Sequence, residues 1–200
     1  MDFSFLKNHN KIIVTGCIRS GTTITGYIIS KELNYLFVDE LNYKSDGDLF
    51  FKLLHNVKEK LVIQDTLLLR DLHLLSDYLN ENNIAIVYVK RDGKEIMDSI
   101  EKSKKFGGRE GNQFWSVDKE VLNEYYKYFG FKYIDGSAFP DLINIMFKKH
   151  VNKYKYLYYV NYPEDIKDSV YFIKDRSCFQ HLKQVTNNPN ELGKKIIFVQ

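Results

Sequence analysis

One short segment of this sequence combines glycines, hydroxyl side chains and an arginine in an order that favours anion binding. It follows the apolar run Ile12–Val14 and reads Thr15, Gly16, Cys17, Ile18, Arg19, Ser20, Gly21, Thr22, Thr23. This order predicts a strand, a glycine loop and the start of a helix. The backbone N–H groups of such a loop converge on an anion, and the helix dipole also favours negative charge. The segment is therefore predicted to bind a phosphate-like group.

The charge in this loop has an unusual position. Gly16 and Gly21 have the spacing of a P-loop, in which a lysine directly follows the second glycine and holds the terminal phosphates of a nucleotide. Here Thr22 occupies the lysine position, and the charged residue of the loop is Arg19. The loop is therefore predicted to bind an anion, but not ATP.

A second basic segment follows Ile84–Lys90, a run whose composition is typical of a buried strand. It begins with Arg91-Asp92-Gly93, and Ser99 follows within a predicted helix. A guanidinium can form two parallel hydrogen bonds to one phosphate, and a hydroxyl can add another.

Both segments resemble motifs of one enzyme family. Arg19-Ser20-Gly21-Thr22-Thr23 resembles the 5′-phosphosulfate loop of the sulfotransferases that use 3′-phosphoadenosine 5′-phosphosulfate (PAPS). Arg91 and Ser99 keep the separation of that family's 3′-phosphate motif, Arg-Asp-Pro followed by Ser, with Gly93 in place of the proline.

Two further segments resemble the same family more weakly. Lys60–Thr66 has the layout of the family's strand that ends in Lys-Asp-Pro, with Gln64 in place of the lysine. Tyr156–Ile166 resembles its strand that ends in Tyr-Glu-Asp-Leu, with one proline inserted. The resemblance extends from about Lys11 to about Phe179.

The resemblance implies that PAPS is the sulfuryl donor, that 3′,5′-adenosine bisphosphate is a product, and that no metal is needed. Arg19 would stabilise the charge that grows on the departing phosphate oxygen. Arg91 and Ser99 would bind the 3′-phosphate, and Arg109 would add a basic contact to it. The residues implied in cofactor binding are Gly16, Cys17, Arg19, Ser20, Gly21, Thr22, Thr23, Arg91, Ser99 and Arg109.

A general base is also needed, because the acceptor hydroxyl or amine must lose a proton. Members of the family with this form of the loop often carry a glutamate at the end of the second strand, and Glu40 occupies that place here. Arg19 and Glu40 are therefore the implied catalytic residues. Asp39, His55 and His73 remain alternatives for the base.

Apolar runs alternate with helical patterns along the chain. The predicted strands are Lys11–Thr15, Tyr35–Asp39, Leu61–Asp65, Ile84–Lys90 and Tyr156–Asn161. The predicted helices are Thr22–Glu32, Asp48–Lys58, Leu67–Asn80, Lys94–Lys105, Asp118–Tyr128 and Asp141–Lys153. This alternation predicts a P-loop-type three-layer α/β/α fold with a mostly parallel sheet of about five strands. Ile196–Val199 is a candidate further edge strand, and the glycines of Phe106–Ser116 predict a mobile loop.

Bulk properties limit the class of protein. A chain of 200 residues predicts one domain, residues 1–200. The formal net charge of +3 suits an anionic ligand but falls far short of that expected for nucleic-acid binding. Cys17 and Cys178 make neither a disulfide framework nor a metal quartet, and no apolar run reaches the length of a membrane span. We expect a cytoplasmic protein that acts on a small-molecule or glycan acceptor; the sequence does not predict its oligomeric state.

Two other functions remain open. A P-loop kinase of a nucleoside or small metabolite would bind Mg²⁺ through Asp39 or Asp65 and the hydroxyl of Thr23, although the usual loop lysine is missing. A non-catalytic nucleotide-binding relative would keep the loop without transfer activity, which would account for Gln64 and Gly93.

Overall fold

Five apolar segments form a β-sheet in the computed structural model, which describes residues 1–39, 43–105 and 139–172. Each strand matches its predicted segment to within one residue at either end. The strands are β1 (Lys11–Gly16), β2 (Leu36–Val38), β3 (Leu61–Gln64), β4 (Ala85–Lys90) and β5 (Leu157–Asn161). All neighbouring strands run parallel, which confirms the predicted α/β class.

The strand order β2-β3-β1-β4-β5 places β1 in the centre of the sheet. Gly16, the last residue of β1, is opposite Val89 of β4. The chain leaves β1 toward β2 on one side, whereas it leaves β4 toward β5 on the other. Ligands of open parallel sheets bind at such a reversal, beyond the carboxyl ends of the strands. The segment after Gly16 begins at this point.

The interiors of β1, β3 and β4 are apolar because the centre of the sheet is covered on both faces. Every residue of β1 and β3 is buried. On one face, Ile24, Ile28 and Ile29 pack with Ile12 and Val14 of β1. Each fully buried isoleucine contributes ~1.5–3 kcal/mol relative to an exposed one. This packing fixes the helix that follows the glycine loop against the central strand.

The described α-helices alternate with the strands. They are α1 (Thr22–Leu33), α2 (Tyr43–Asn56), α3 (Ser76–Glu81), α4 (Gly93–Lys105) and α5 (Phe139–His150). The predicted helix Asp118–Tyr128, the loop Phe106–Ser116 and the strand Ile196–Val199 lie outside the described residues. None of the helices in the described ranges has the length and hydrophobicity that crossing a bilayer requires.

Helix α1 ends in a Schellman motif. Asn34 adopts the left-handed conformation, with φ 56° and ψ 48°, and its N–H donates to the carbonyl of Lys31. The N–H of Tyr35 donates to the carbonyl of Ser30 at 2.9 Å. Asparagine tolerates this conformation better than most residues, which explains why the helix ends here.

The prediction of one helix over Leu67–Asn80 is wrong. The chain instead forms two 3₁₀ turns, Leu67–Arg70 and Leu72–Leu74, before the short helix α3. Asp71 and Ser76 explain the difference, because aspartate and serine favour turns and helix starts over helix interiors.

The buried leucines of this segment nevertheless keep a helical spacing. Leu68, Leu72 and Leu79 are at most 1% exposed, whereas Leu74 is 63% exposed. The N–H of Leu75 donates to the carbonyl of Leu72 at 3.1 Å, a bond of the 3₁₀ type. The spacing of the leucines therefore reflects which side chains face the core, but it does not determine whether the backbone is α-helical.

The amino-terminal edge of the sheet is held by a buried lysine. Lys11 is 7% exposed, and its ammonium donates to the carbonyls of Val57 and Glu59 at 2.7 and 2.6 Å. Burial lowers the pKa of Lys11, and the negative charge of Glu59 opposes this effect. These bonds fix the chain just before β3.

The chain divides into two compact units. One contains residues 1–90 and the chain from 151 onward, and includes the whole sheet with α1, α2 and α3. The other contains residues 91–150, where α4 contacts α5. A single domain over residues 1–200 stays a prediction.

Thr25→Val should stabilise the fold. Thr25 of α1 is fully buried, and its hydroxyl has no hydrogen-bond partner in the part of the chain that the structure describes. Because an unsatisfied buried hydroxyl costs about 1–3 kcal/mol, we expect urea denaturation to show a free energy of unfolding about 1 kcal/mol higher.

Thr22→Val is the matched control. The Thr22 hydroxyl accepts a hydrogen bond from the Gln64 side chain at 3.1 Å, so the same substitution should lower stability there. A less stable Thr25→Val variant would show that the Thr25 hydroxyl has a favourable role in the fold.

Candidate functional site

The chain between β1 and α1 makes a tight turn. The N–H of Ser20 donates to the carbonyl of Cys17 at 3.0 Å, which closes a four-residue β-turn. Arg19 is the third residue of this turn and has φ 65°, and Gly21 has φ 95°. Helix α1 begins directly afterwards at Thr22. The predicted sequence of strand, glycine loop and helix start is therefore present.

Gly16 permits a close approach of the backbone to β4. A Cβ atom at this position would lie 2.6 Å from the carbonyl oxygen of Val89 and 2.9 Å from the hydroxyl oxygen of Ser20. Both distances are too short for non-bonded atoms. The missing side chain therefore lets the loop fold back over the end of β1.

Gly21 is required for a different reason. Its backbone has a positive φ, and a Cβ atom there would overlap the ring of Tyr162, at 2.6 Å from its Cε2 atom. The N–H of Tyr162 donates to the carbonyl of Lys90 at 2.8 Å, so the residue after β5 is fixed against the end of β4. Tyr162 therefore packs on the loop from the far edge of the sheet.

The start of α1 offers hydrogen-bond donors to the loop. Gly21 is the N-cap residue, and no side chain within the described ranges caps the helix. The N–H of Thr25 makes the first bond of the helix, to the carbonyl of Gly21 at 3.0 Å. The preceding N–H groups at a helix start have no partner within the helix, and the positive end of the helix dipole lies among them. This arrangement favours an anion.

Ser20 provides an independent indication of a ligand. Its side chain is fully buried, yet its hydroxyl has no hydrogen-bond partner among the described residues. The hydroxyl oxygen lies over Gly16, at 2.9 Å from where a Cβ would be, and so points into the bend of the loop. An oxygen atom of a bound anion would satisfy this donor. The binding of a phosphate-like group by this loop stays a prediction that this donor is compatible with.

Two polar residues at the end of β3 belong to the same edge. Gln64 is 1% exposed and binds the hydroxyl of Thr22. Asp65, also 1% exposed, accepts a hydrogen bond from the N–H of Leu68 at 3.0 Å. The sequence indicated neither contact, although Gln64 is conspicuous as the polar residue of the buried strand Leu61–Gln64.

In the unit of residues 91–150, Arg91 contacts the first turn of α4, the helix that follows it. Its Nε lies 3.0 Å from a carboxylate oxygen of Glu95. The carboxylate of Asp92 accepts the N–H of Glu95 at 3.1 Å and so caps the start of α4. Ser99 is four residues beyond Glu95, so both lie on the same face of the helix. The unit therefore arranges Arg91, Glu95 and Ser99 along one side of α4.

The remaining predicted site residues lie in different parts of the chain. Glu40 and Arg109 lie outside the described residues. Asp39 directly follows β2 at the carboxyl edge. His55 lies in the last turn of α2, which leads to the amino end of β3, and the ring stacks on Phe51 at 6.4 Å between centroids. His55 therefore lies near the amino ends of the strands, whereas Gly16 lies at the carboxyl edge of the sheet. His73 lies in a 3₁₀ turn.

Comparison of the chain with protein-family models and with curated proteins gives no match. The fold and the loop define the class: an α/β protein with a five-stranded parallel sheet, compatible with P-loop-like folds and with nucleotide binding. In the described residues, no cluster of His, Cys, Asp or Glu side chains has the arrangement of a metal site.

Arg19→Gly should be more stable than Arg19→Ala. The left-handed conformation at φ 65° is strained for any residue with a Cβ and free of strain for glycine. We expect a difference of about 1 kcal/mol in the free energy of unfolding, measured by urea denaturation.

Asn34→Gly is the comparison, because Asn34 has a similar φ of 56° but a residue type that tolerates it. The increase in the free energy of unfolding from Asn34→Gly should be smaller than the difference between Arg19→Gly and Arg19→Ala. Equal stability of Arg19→Gly and Arg19→Ala would show that the backbone at this position is not left-handed.

Proposed function

We propose that this protein is a sulfotransferase that transfers a sulfuryl group from PAPS to a hydroxyl or amine acceptor. The observation that carries the proposal is the loop between β1 and α1. Among the described residues, the Ser20 hydroxyl is buried without a hydrogen-bond partner and no side chain caps the helix start. The charged residue of the loop is Arg19, with no lysine after Gly21.

The position of the loop cation supports sulfuryl transfer over phosphoryl transfer. A terminal phosphate is a dianion, and P-loop enzymes neutralise it with the loop lysine and Mg²⁺. Here the lysine position holds Thr22, whose hydroxyl is bonded to the neutral side chain of Gln64. The loop therefore suits a group of lower charge, and PAPS when bound would supply such a group.

Each loop residue has a role in this proposal. The helix-start N–H groups and the hydroxyls of Ser20, Thr22 and Thr23 bind the 5′-phosphate, while Gly16 and Gly21 keep the space free. Cys17 contributes its backbone to the turn. Arg19 stabilises the negative charge of the departing group, which grows in the transition state.

Recognition of the 3′-phosphate is assigned to Arg91 and Ser99. The Nε of Arg91 lies 3.0 Å from a carboxylate oxygen of Glu95, and a guanidinium is the side chain best suited to a bidentate pair with a phosphate. Arg109 is proposed to add a further basic contact. Glu40 is proposed as the base that removes the proton from the acceptor.

Arg91→Ala should weaken binding of 3′,5′-adenosine bisphosphate by roughly ten- to a hundredfold and leave the affinity for 5′-AMP almost unchanged. The reason is that a charge-assisted hydrogen bond to the 3′-phosphate is lost, and AMP has no such group. Isothermal titration calorimetry measures both affinities.

Lys94→Ala is the control, because Lys94 is an exposed cation in the first turn of the same helix. It should change neither affinity by more than about twofold, since exposed charges contribute little. Equal affinity of the wild type for the bisphosphate and for AMP would remove the assignment of the 3′-phosphate site.

Glu40→Gln should lower kcat by about 10²–10⁴ because it removes the base, and Arg19→Ala by about 10²–10³ because it removes the stabilising charge. Binding of the bisphosphate by Glu40→Gln should be unchanged. Activity should survive EDTA. The measurement is a sulfate-transfer assay with PAPS and a panel of acceptors.

Glu81→Gln, at the exposed end of α3, controls for loss of a surface carboxylate and should keep wild-type activity. Transfer at the wild-type rate by Glu40→Gln would assign the base elsewhere, with Asp39, His55 and His73 next. Loss of turnover in EDTA would count against the sulfotransferase.

One observation favours a second candidate, a Mg²⁺-dependent P-loop kinase. Asp65 is a buried carboxylate at the end of β3, the strand next to β1. An acid at the end of a strand can hold Mg²⁺ in such enzymes. A thermal shift with ATP and Mg²⁺, but none with the bisphosphate alone, would favour the kinase; a ligand at 100 times its Kd adds roughly 2.7 kcal/mol.

A further inference from the structure

A buried hydrogen bond connects β3 to the start of α1. The Nε2 of Gln64 donates to the hydroxyl oxygen of Thr22 at 3.1 Å. Gln64 is 1% exposed and Thr22 is 4% exposed, so water does not compete for this bond. The bond joins a strand residue with no predicted role in the chemistry to a residue of the predicted anion loop.

The direction of this bond determines what Thr22 can offer to a ligand. A hydroxyl has one hydrogen to donate and two lone pairs to accept with. Because Gln64 donates to Thr22, the hydroxyl hydrogen of Thr22 is not used in this bond. Among the described parts of the chain, the Thr22 hydroxyl donates no hydrogen bond. The Thr22 hydroxyl is therefore left as a donor, which is the polarity that an anion requires.

The position of the Gln64 side chain is fixed by its surroundings. Gln64 pairs with Val14 in the parallel register of β3 and β1. On the side of α1, a Cβ atom at Gly26 would lie 3.6 Å from the Cβ of Gln64 and 2.7 Å from the Cε2 of Phe37. Gly26 thus lets α1 approach the sheet closely, and this brings Thr22 within hydrogen-bond distance of Gln64.

We propose that Gln64 is a positioning residue that holds the Thr22 hydroxyl as a hydrogen-bond donor to the anion in the loop. This inference rests on the proposed function, because it assumes that the 5′-phosphosulfate group binds there. Gln64 is then also a determinant of specificity. The neutral Gln64–Thr22 pair supplies a donor without adding charge, where a P-loop lysine would supply a cation for a terminal phosphate dianion.

A double-mutant cycle tests the proposal. Gln64→Met keeps the length of the side chain and removes the donor, and Thr22→Val keeps the shape of the threonine and removes the hydroxyl. The probes are 3′,5′-adenosine bisphosphate and inorganic pyrophosphate, with affinities measured by calorimetry. We expect Gln64→Met to weaken binding by about two- to tenfold, the effect of one hydrogen bond.

The coupling between the two substitutions distinguishes positioning from a general structural effect. Gln64→Met should have no further effect on affinity in the Thr22→Val background, because the hydroxyl that it positions is absent. Thr22→Ser should restore most of the affinity lost in Thr22→Val. Thr25→Val, which removes a buried hydroxyl from the same helix, should keep wild-type affinity.

The outcomes separate this inference from the proposed function. Unchanged affinity of Gln64→Met, or an equal loss in both backgrounds, overturns the role of Gln64 while the wild type still binds the bisphosphate. If the wild type binds pyrophosphate but not the bisphosphate, the proposed function fails, and the same cycle with pyrophosphate decides the inference. If the wild type binds neither probe, both are wrong. Urea denaturation of each variant verifies that it is folded.

Discussion

The close approach of Gly16 to the carbonyl of Val89 is the contact on which the loop depends. Because Gly16 has no side chain, β1 stays paired with β4 up to Gly16, its last residue. The chain can then turn back directly above the sheet. The same absence of a side chain leaves room for the Ser20 hydroxyl. Any larger residue at position 16 would displace either β4 or the turn, and with it the start of α1.

The sheet could be predicted from the sequence because buried parallel strands are continuous apolar runs with polar or glycine residues at their ends. β1 and β4 show this most clearly. The segment Leu67–Asn80 could not be predicted in the same way. Its leucine spacing records which side chains face the core, whereas the form of the backbone changes at Asp71 and Ser76, residue types that favour turns and helix starts.

The loop itself followed from the spacing of Gly16, Gly21 and the threonines, since these residues are adjacent in the chain. Gln64 and Tyr162 could not be assigned to it, because their contacts depend on the order of the strands, which spacing does not encode. The Arg91 motif could be predicted from the sequence in part. Position 93 is the first residue of α4, where the fixed φ of a proline suits a helix start, so the glycine found there occupies a backbone position that proline also fits.

The packing of Tyr162 against Gly21 connects the loop to one of the two edge strands of the described sheet. β5 is an edge strand, paired only with β4 among the described strands, and edge strands open more readily than central ones. Opening of β5 would remove the ring that confines Gly21 and free the start of α1. By thermodynamic linkage, an anion that requires the ordered loop also favours the closed edge. The order of β5, the last described strand, would thereby be coupled to the order of the loop that follows β1.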